Sequence, residues 1–387
     1  MFRTPLSAAA ACACLCLHGP VLAAGTSVNE ISASGSGVQG AFTASPQDAS
    51  TIFYNPAGLT ELEGIQIEVN PLLAAPHIEY ERPGLGSADN DRRANGASLF
   101  FSTDSVDGVT LGVGLYAPFA RDAKFDNNAA LLGLSHRSTI VRTDLAPTVA
   151  FRPLPNVSVG LSAVASHVNL YTNVLGLEES ARGYGFTANA GVMVEAPGHV
   201  RLGMTYRGAM AAHVEGHGTF AGQRDDFNAK LRFPAVLSTG VAWAPSEKLE
   251  LAVAYDREFW SYFDSFRRNY SNPTLAAVGN NVFDPDDSDT FRMGAVYRPT
   301  PEHELRFGVS RVGSAFPSPV TLPSQIDTDY ESIAVGYSRV YERAKLSVTY
   351  QHLRSEERTT QNPFFPGRYE LRGNLLLFGF SYRWDSD

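Results

Sequence analysis

Apolar and polar residues alternate in short stretches along most of the chain beyond residue 63. Leu249, Leu251 and Val253 share one face of such a stretch, whereas Glu250 and Ala252 share the other. The same split recurs at residues 304–309, 332–337, 345–350 and 375–382. Because successive side chains of a strand point to opposite sides, the pattern predicts β-strands with one apolar face and one small or polar face.

The spacing of these stretches predicts about fourteen strands, at residues 64–80, 91–103, 108–119, 138–152, 156–170, 184–196, 198–213, 229–244, 247–260, 289–299, 302–312, 329–340, 343–353 and 368–384. Short links follow the even-numbered strands, and long polar loops follow the odd-numbered ones. A soluble sandwich also alternates apolar and polar residues, but one short side and one long side are typical of outer-membrane barrels. We therefore predict an all-β fold, a 14-stranded antiparallel transmembrane β-barrel.

The N-terminus predicts export. Residues 1–23 combine Arg3, an apolar stretch at residues 8–17 and a helix-breaking Gly19–Pro20 pair, as a secretory signal peptide does. The apolar stretch is shorter than the roughly 20 residues that span a bilayer. All three cysteines lie in this segment, at Cys12, Cys14 and Cys16. Cleavage would remove all three cysteines, so we expect no disulfide and no cysteine metal site in the mature chain. We also expect no cofactor. A lipoprotein cut at one of the cysteines is the alternative.

Charge narrows the set of partners. The chain carries 31 Lys and Arg against 40 Asp and Glu, a net charge of −9, which becomes −10 once Arg3 is removed. No block of basic residues occurs, so nucleic acid is not an expected partner.

Residues 24–63 do not alternate and are rich in Gly, Ser and Ala. Gly35, Gly37 and Gly40 match the G-x-G-x-x-G dinucleotide motif, but no buried strand precedes them and no βαβ unit follows, so we reject that reading. The segment is either a flexible lead-in or a compact plug inside the barrel.

Several short motifs, in order along nearly the whole mature chain, carry a family resemblance. They lie at residues 29–40, 48–49, 55–59, 111–119, 231–234, 292–297, 305–308, 317–323 and 377–382. In this order they resemble the FadL-type outer-membrane long-chain fatty-acid and hydrocarbon transporters. The sequence departs from that family at Val312–Phe316, where an acidic loop is usual, and in the three residues after Trp384.

The resemblance implies a monomeric barrel at residues 64–387, plugged by a hatch at residues 24–63 and integral to the bacterial outer membrane. It implies passive uptake of hydrophobic small molecules, with outer-membrane lipid around the barrel and a sideways exit at a kink in the third strand. For the hatch and its gating, the residues implied are Asn55, Pro56 and Ala57; a simple turn before the first strand is the alternative. For the lateral opening they are Gly112, Gly114, Pro118 and Phe119; the alternative is that Pro118 only ends the strand at the foot of a long loop.

Apolar clusters in the predicted outer loops are the candidates for ligand binding, since exposed apolar patches commonly mark binding sites. Loop-on-loop packing is the alternative for each cluster. Arg292, on a polar strand face, is a candidate partner for a carboxylate, although Asp and Glu of the lumen also need cations. The candidates are Leu131, Leu132, Leu134, Trp260, Phe263, Phe266 and Arg292.

Four functions remain open at this point: a fatty-acid channel, an aromatic-hydrocarbon channel, a general porin and an outer-membrane lipid hydrolase. The sequence offers little for an enzyme. His213 and His217 flank Glu215, but residues four apart on a strand lie about 13 Å from each other, too far to share a metal. We therefore expect a channel, neither an enzyme nor a metal protein.

Overall fold

The computed structural model of the protein describes residues 27–103 and 106–384. The predicted signal peptide, residues 1–23, and the three residues after Trp384 lie outside this part of the chain. Within it, fourteen strands form one closed antiparallel barrel. They are β1 Ile65–Arg82, β2 Ala94–Ser102, β3 Val109–Phe125, β4 His136–Leu154, β5 Val157–Val174, β6 Leu177–Ala196, β7 Val200–Arg207 with Met210–Phe220, β8 Gln223–Phe233 with Val236–Ser246, β9 Leu249–Glu258, β10 Ser288–Thr300, β11 His303–Val312, β12 Tyr330–Val340, β13 Ala344–Ser355 and β14 Gly367–Trp384.

Short elements complete the chain. The α-helices are α1 Ala33–Gly37, α2 Thr51–Tyr54 and α3 Pro273–Gly279; 3₁₀ turns cover Pro56–Glu61, Ala129–Leu131, Trp260–Tyr262 and Ser318–Val320; small strands cover Gly86–Asn90, Ser265–Phe266, Arg268–Tyr270, Asn281–Val282 and Arg358–Thr360. Among the described residues, no helix has the length and apolar character to cross a membrane.

The barrel closes between its first and last strands. β1 pairs with β14 from Ile65 opposite Trp384 to Glu81 opposite Arg368. Along each strand the apolar row faces out and the small or polar row faces the lumen: Val253 is 50% exposed, whereas Ala252 is 8% exposed. An outward apolar belt on a closed barrel is the form in which strands satisfy their backbone groups within lipid. The predicted 14-stranded transmembrane barrel is confirmed.

Two expected long loops are instead tight hairpins. β5 and β6 continue to Val174 and Leu177, and only Leu175 and Gly176 separate them. Both turn residues have positive φ, 54° and 82°, as a two-residue hairpin turn requires. Ala221 and Gly222 join β7 to β8 in the same way. These outer strand ends were not predicted because their outward-facing residues are polar, so that no outward apolar row marks them.

The described residues before β1 lie inside the lumen of the barrel. Of the two alternatives for this segment, it is therefore a compact plug and not a flexible lead-in, and we call it the hatch. Ser32 caps α1, accepting a hydrogen bond on its hydroxyl from the Gly35 N–H at 3.0 Å. Apolar hatch side chains pack against Phe100 and Tyr116 of the wall; they include Val28, Ile31, Phe42, Ile52, Phe53 and Leu59.

Candidate functional site

A cavity of about 570 Å³ opens among the long loops, above the hatch. We call it the outer cavity. It brings together three of the predicted ligand residues, Trp260, Phe263 and Phe266. The ring centroids of Phe263 and Phe283 lie 5.1 Å apart, and those of Trp260 and Phe316 lie 5.4 Å apart. Strand residues complete the apolar wall, among them Ile140, Leu170, Leu231 and Phe233.

Three arginines line this apolar cavity, and they differ in their partners. Arg268 pairs with Glu179 at 2.7 Å, and Arg232 pairs with Asp264 at 2.7 Å. Arg121 donates from Nη2 to the Ser138 hydroxyl at 3.0 Å, while its buried Nε has no hydrogen-bond partner among the described residues. The Asp327 carboxylate, which lines the same cavity, attracts the Arg121 charge, but Arg121 donates to a neutral hydroxyl and keeps one buried N–H that a ligand could satisfy. Arg121 is therefore the polar group best placed to meet a ligand.

The other predicted ligand residues do not line the outer cavity. Leu131 is fully buried in a separate cluster with Tyr80 and Phe125, and Leu132 and Leu134 lie at the surface. Arg292 donates from Nε to Asp256 at 2.8 Å and from Nη1 to the Gln39 carbonyl at 2.8 Å. Arg292 thus holds the hatch and is not directed at a ligand, because a buried carboxylate already satisfies its charge.

Phe119 of β3 lies at the inner end of the outer cavity. Its ring centroid is 5.2 Å from that of Phe233 and 6.1 Å from that of Trp260. The Arg142 guanidinium lies 5.2 Å from the centre of the Phe119 ring. Phe119 therefore joins the aromatic side of the outer cavity to the part of the wall that β3 forms.

That part of the wall is incompletely paired. β3 pairs with β4 from Val109 to Phe125, with a register shift between Tyr116 and Phe119. With β2, β3 pairs only from Leu99–Leu115 to Ser102–Gly112. Pro118 lies within the shifted stretch, where it has no N–H to donate. We call the unpaired stretch, between residues 94–98 of β2 and 116–123 of β3, the window.

The predicted end of the third strand at residue 119 is therefore wrong, because β3 runs on to Phe125. The register shift of the ladder falls at the predicted kink, around Pro118. The Pro118 carbonyl accepts a hydrogen bond from the Val28 N–H of the hatch at 2.8 Å, and Ser27 pairs with Phe119. The start of the described hatch thus adds a short strand edge beside the kink.

Side chains cross the outer end of the window. Arg92 forms an ion pair with Asp122 of β3, and the Lys124 N–H donates to the Asn90 side-chain oxygen at 3.1 Å. Both Asn90 and Arg92 precede β2. The window therefore has a polar edge at the top and a hatch segment at the kink.

Gly112 and Gly114 were expected to border the lateral opening, but they do not border the window. Both lie in the paired part of the wall, below the window, and the hatch covers them. A Cβ on Gly112 would lie 2.9 Å from Ile52 and 3.0 Å from Leu59 of the hatch, and one on Gly114 would lie 3.1 Å from Ile52. A larger residue here would meet the hatch and would not fill an opening.

Asn55 and Pro56 lie where the hatch meets β5 and β6. The Asn55 side-chain amide donates to the Thr43 carbonyl at 2.7 Å and to the Val192 carbonyl at 3.1 Å, and its oxygen accepts from the Ala57 N–H at 3.1 Å. A Cβ on Gly191 would lie 2.1 Å from the Asn55 oxygen, so this close approach requires glycine in the wall. The three predicted hatch residues thus form one contact with the barrel.

Buried charges hold the opposite side of the hatch. Asp48 pairs with Lys345 of β13 at 3.0 Å and accepts a hydrogen bond from the Ser50 hydroxyl at 2.5 Å. Burial alone would raise the pKa of Asp48, but the Lys345 ammonium and the hydrogen bonds bring that pKa well below its usual value. Asp48 therefore stays ionised under physiological conditions.

Ser166 and His167 are neighbours in sequence but lie on opposite faces of β5 and do not act as a pair. Ser166 faces the lumen and donates to Asp144 at 2.6 Å, whereas His167 lies on the exposed face. Arg142 already holds both oxygens of Asp144, each at 2.8 Å. This buried network is structural.

Arg121, Arg92 and Asp122 were not predicted from the sequence. No local signal marks them, because each is one charge among many on a strand or loop. Their importance comes from the register of β2 against β3. Pro118 is the one residue beside the window whose type indicates a break in strand pairing, because proline has no N–H to donate.

A model of the outer membrane protein transport protein family (OMPP1/FadL/TodX) matches residues 14–177 and 168–383. Over 102 residues the chain is 33% identical to a Neisseria meningitidis serogroup B protein whose name describes an outer membrane protein; the match covers 24% of this chain and 22% of that protein.

Solved structures share the fold at low sequence identity. A Pseudomonas aeruginosa FadL homologue superposes with a TM-score of 0.78 at 16% identity, over 93% of this chain and 100% of that one. The Pseudomonas putida toluene transporter TodX superposes with a TM-score of 0.75 at 13% identity, over 93% of this chain and 100% of that one. The Ralstonia pickettii toluene transporter TbuX superposes with a TM-score of 0.71 at 14% identity, over 92% of this chain and 100% of that one. The chain therefore belongs to the outer membrane protein transport protein family (OMPP1/FadL/TodX), and its barrel is integral to the outer membrane.

Proposed function

We propose that this channel takes up long-chain fatty acids or similar molecules with an apolar chain and one anionic end. The observation that carries the proposal is Arg121, whose guanidinium lines the outer cavity, donates to one neutral hydroxyl and keeps a buried N–H without a partner among the described residues. A ligand carboxylate would satisfy it, and a charge-assisted hydrogen bond contributes roughly 1.5–3 kcal/mol. The volume of about 570 Å³ agrees with a long ligand, since a cavity of about 150 Å³ is enough for benzene.

A binding comparison tests this choice. In purified Arg121→Gln protein, we expect the dissociation constant of a C16 fatty acid to rise at least tenfold and that of the matching C16 alcohol to stay within about twofold, since 1.4 kcal/mol is tenfold. Arg232→Gln is the matched control, because Arg232 lines the same cavity but is already paired with Asp264. Equal loss for acid and alcohol would contradict recognition of the carboxylate.

Monoaromatic hydrocarbons are the second candidate. Four rings, Trp260, Phe263, Phe283 and Phe316, line one wall of the outer cavity, and two of the structural relatives are named toluene transporters. Toluene binding that is tight in the wild type and unchanged in Arg121→Gln, together with no measurable fatty-acid binding, would favour this candidate over the first.

The route that we propose runs from the outer cavity past Phe119 and out through the window into the membrane. The short β2–β3 ladder and the apolar lining on both sides of Phe119 support it. An apolar molecule that leaves sideways enters lipid directly and does not pass through water. A general porin is disfavoured because the hatch fills the lumen, and no step of this route needs an enzyme.

Cross-linking tests the exit. In an Arg92→Cys/Asp122→Cys variant, a short reducible bifunctional thiol reagent would join the two edges of the window. We expect uptake of the fatty acid to fall after cross-linking and to return on reduction. The matched control is Arg257→Cys/Asp289→Cys, a pair that bridges β9 and β10, two fully paired strands. Undiminished uptake in the cross-linked window variant would exclude the lateral route.

We further propose that the channel is a monomer surrounded by outer-membrane lipid. Closure of β1 on β14 pairs the two terminal strands of the sheet with each other, so neither is left for a second copy to extend. Native mass spectrometry in mild detergent tests this, with a single chain as the expected species and a stable oligomer as the contrary result.

A further inference from the structure

A row of like charges crosses three strands on the outer surface of the barrel, beyond the apolar belt. Glu79 of β1 lies directly opposite Asp89 of the small strand Gly86–Asn90, and on its other side directly opposite Glu370 of β14. Like charges that face each other across strands destabilise a sheet. Something must offset this row for the outer strand ends to remain paired.

The available cations offset it only in part. Arg372 lies 3.7 Å from Glu79 and 3.6 Å from Glu370, and Arg354 lies 3.5 Å from Glu370. Within residues 27–103 and 106–384, Asp89 takes part in no ion pair. The negative surplus is therefore concentrated between Glu79 and Asp89.

A histidine lies beside these two carboxylates. One ring nitrogen of His77 and one carboxylate oxygen each from Glu79 and Asp89 lie within 4.8 Å of one another. On the His77 ring, Nδ1 is 2.5 Å from Asp91, so a further carboxylate fixes the orientation of the imidazole. Carboxylates that orient a histidine in this way are common around protein-bound metals.

We propose that His77, Glu79 and Asp89 bind a divalent metal ion on the outer surface of the barrel. A mixed set of imidazole and carboxylate groups suits Zn²⁺. Zn²⁺ would neutralise the facing pair of carboxylates and join β1 to the small strand Gly86–Asn90. The sequence predicts no metal site here, because His77 and Asp89 are twelve residues apart and come together only through the pairing of β1 with the small strand Gly86–Asn90.

The position gives the ion a structural consequence. Asp89 is next to Asn90, and Asp91 is next to Arg92; Asn90 and Arg92 are the residues that reach β3 across the window. A metal ion at this site would hold the outer edge of the window in place. Binding of the ion itself does not depend on which substrate the channel carries.

Zn²⁺ titration of the mature, metal-stripped protein in detergent tests the proposal. We expect one equivalent of Zn²⁺ to bind the wild type, and His77→Ala and Asp89→Asn each to weaken binding at least tenfold. His352→Ala is the matched control, an outward histidine whose Nδ1 lies 2.9 Å from the Asn374 side-chain oxygen, with no acidic neighbour in that contact. Absence of Zn²⁺ binding in the wild type, or equal affinity in wild type and both variants, would overturn the site.

Hydrogen exchange provides a second readout on the same samples. Zn²⁺ should slow amide exchange in residues 86–92 of the wild type and of His352→Ala, and leave exchange unchanged in Asp89→Asn. That variant keeps His77 and removes only one charge, so it should fold normally. Zn²⁺ protection of the hairpin in Asp89→Asn equal to that in the wild type would place the ion elsewhere.

Discussion

Two of the interfaces between the hatch and the barrel differ in kind. Towards β10, β11 and β13 the contacts are charged: Arg292 donates to the Gln39 carbonyl, and Lys345 pairs with Asp48. Towards β3 they are mostly apolar. There the Phe53 and Tyr116 rings lie 5.2 Å apart, with the Val28 N–H to Pro118 carbonyl hydrogen bond at the edge.

The difference indicates which side of the hatch can shift. Buried charge-assisted hydrogen bonds fix distance and direction, and breaking one leaves a costly unpaired group. Apolar contacts are non-directional, so side chains can slide over one another with a smaller loss. We therefore expect the hatch to stay attached at β10 to β13 and to move first beside the window.

The largest effect is expected from breaking the charged interface. Lys345→Ala leaves Asp48 buried without its cation, and removing one partner of a buried pair costs about 3–5 kcal/mol. We expect the folded barrel, seen as the faster-migrating form on a gel of unheated sample, to unfold at a lower temperature in the variant than in the wild type. We also expect the variant to conduct ions in planar bilayers, because the hatch would no longer seal the lumen.

Lys124→Ala is the control for this prediction. Lys124 pairs with Asp126 at 3.0 Å, but both side chains are largely exposed, and such pairs contribute about 0–1 kcal/mol. If Lys345→Ala seals the lumen as well as Lys124→Ala does, the hatch is not held by its charges.

The same pair gives a pH dependence. Because the pKa of Asp48 is lower in the folded protein than in the unfolded chain, its contribution is complete above the ordinary aspartate pKa and is lost as the pH falls through the lowered value. Bilayer conductance of the wild type should therefore stay low from pH 7 to about pH 4 and rise only in stronger acid. A rise already between pH 7 and 5 would contradict the role of Asp48.

A smaller effect is expected at Asn55, where the hatch meets β5 and β6. Asn55→Ala removes a cap and leaves the Thr43 and Val192 carbonyls without their donor, at a cost of roughly 1–3 kcal/mol. Uptake of a hydrophobic substrate should fall while barrel abundance stays the same. Asn269→Ala is the control, since its amide bonds only the exposed Asn228. Normal uptake at equal abundance would exclude a gating role for Asn55.

Sequence patterning was sufficient for the barrel because lipid imposes a regular apolar row on each strand. Val253 faces out and Ala252 faces in, as the alternation predicts. Where strands leave the lipid the apolar row ends, and the hairpins at Leu175–Gly176 and Ala221–Gly222 were missed for that reason. The pattern therefore identifies the membrane-spanning part of each strand and not its full length.

The candidate site was less predictable because it depends on contacts between distant residues. The partners of Arg292 are Asp256 and Gln39, which are 36 and 253 residues away. Sequence alone cannot tell which lumen arginine is paired and which, like Arg121, faces a cavity. Aromatic residues were a better guide, since Trp260, Phe263 and Phe266 do meet in the outer cavity.

The smallest effect is expected at the outer edge of the window. Arg92 pairs with Asp122 across the opening, and its side chain is 38% exposed, so the pair should contribute no more than about 1 kcal/mol. Arg92→Ala should leave thermal stability almost unchanged and raise the rate of hydrophobic uptake by up to about fivefold, because 1 kcal/mol corresponds to about that factor. Arg257→Ala, which removes an ion pair to Asp289 between two fully paired strands, should change neither quantity. A fall in uptake in Arg92→Ala would mean that the ion pair positions the substrate path. Unchanged uptake would mean that flux is limited deeper in the channel, at Phe119 or the hatch. Either result would contradict a role of the Arg92–Asp122 pair in holding the window closed, without contradicting movement of the hatch at its apolar interface.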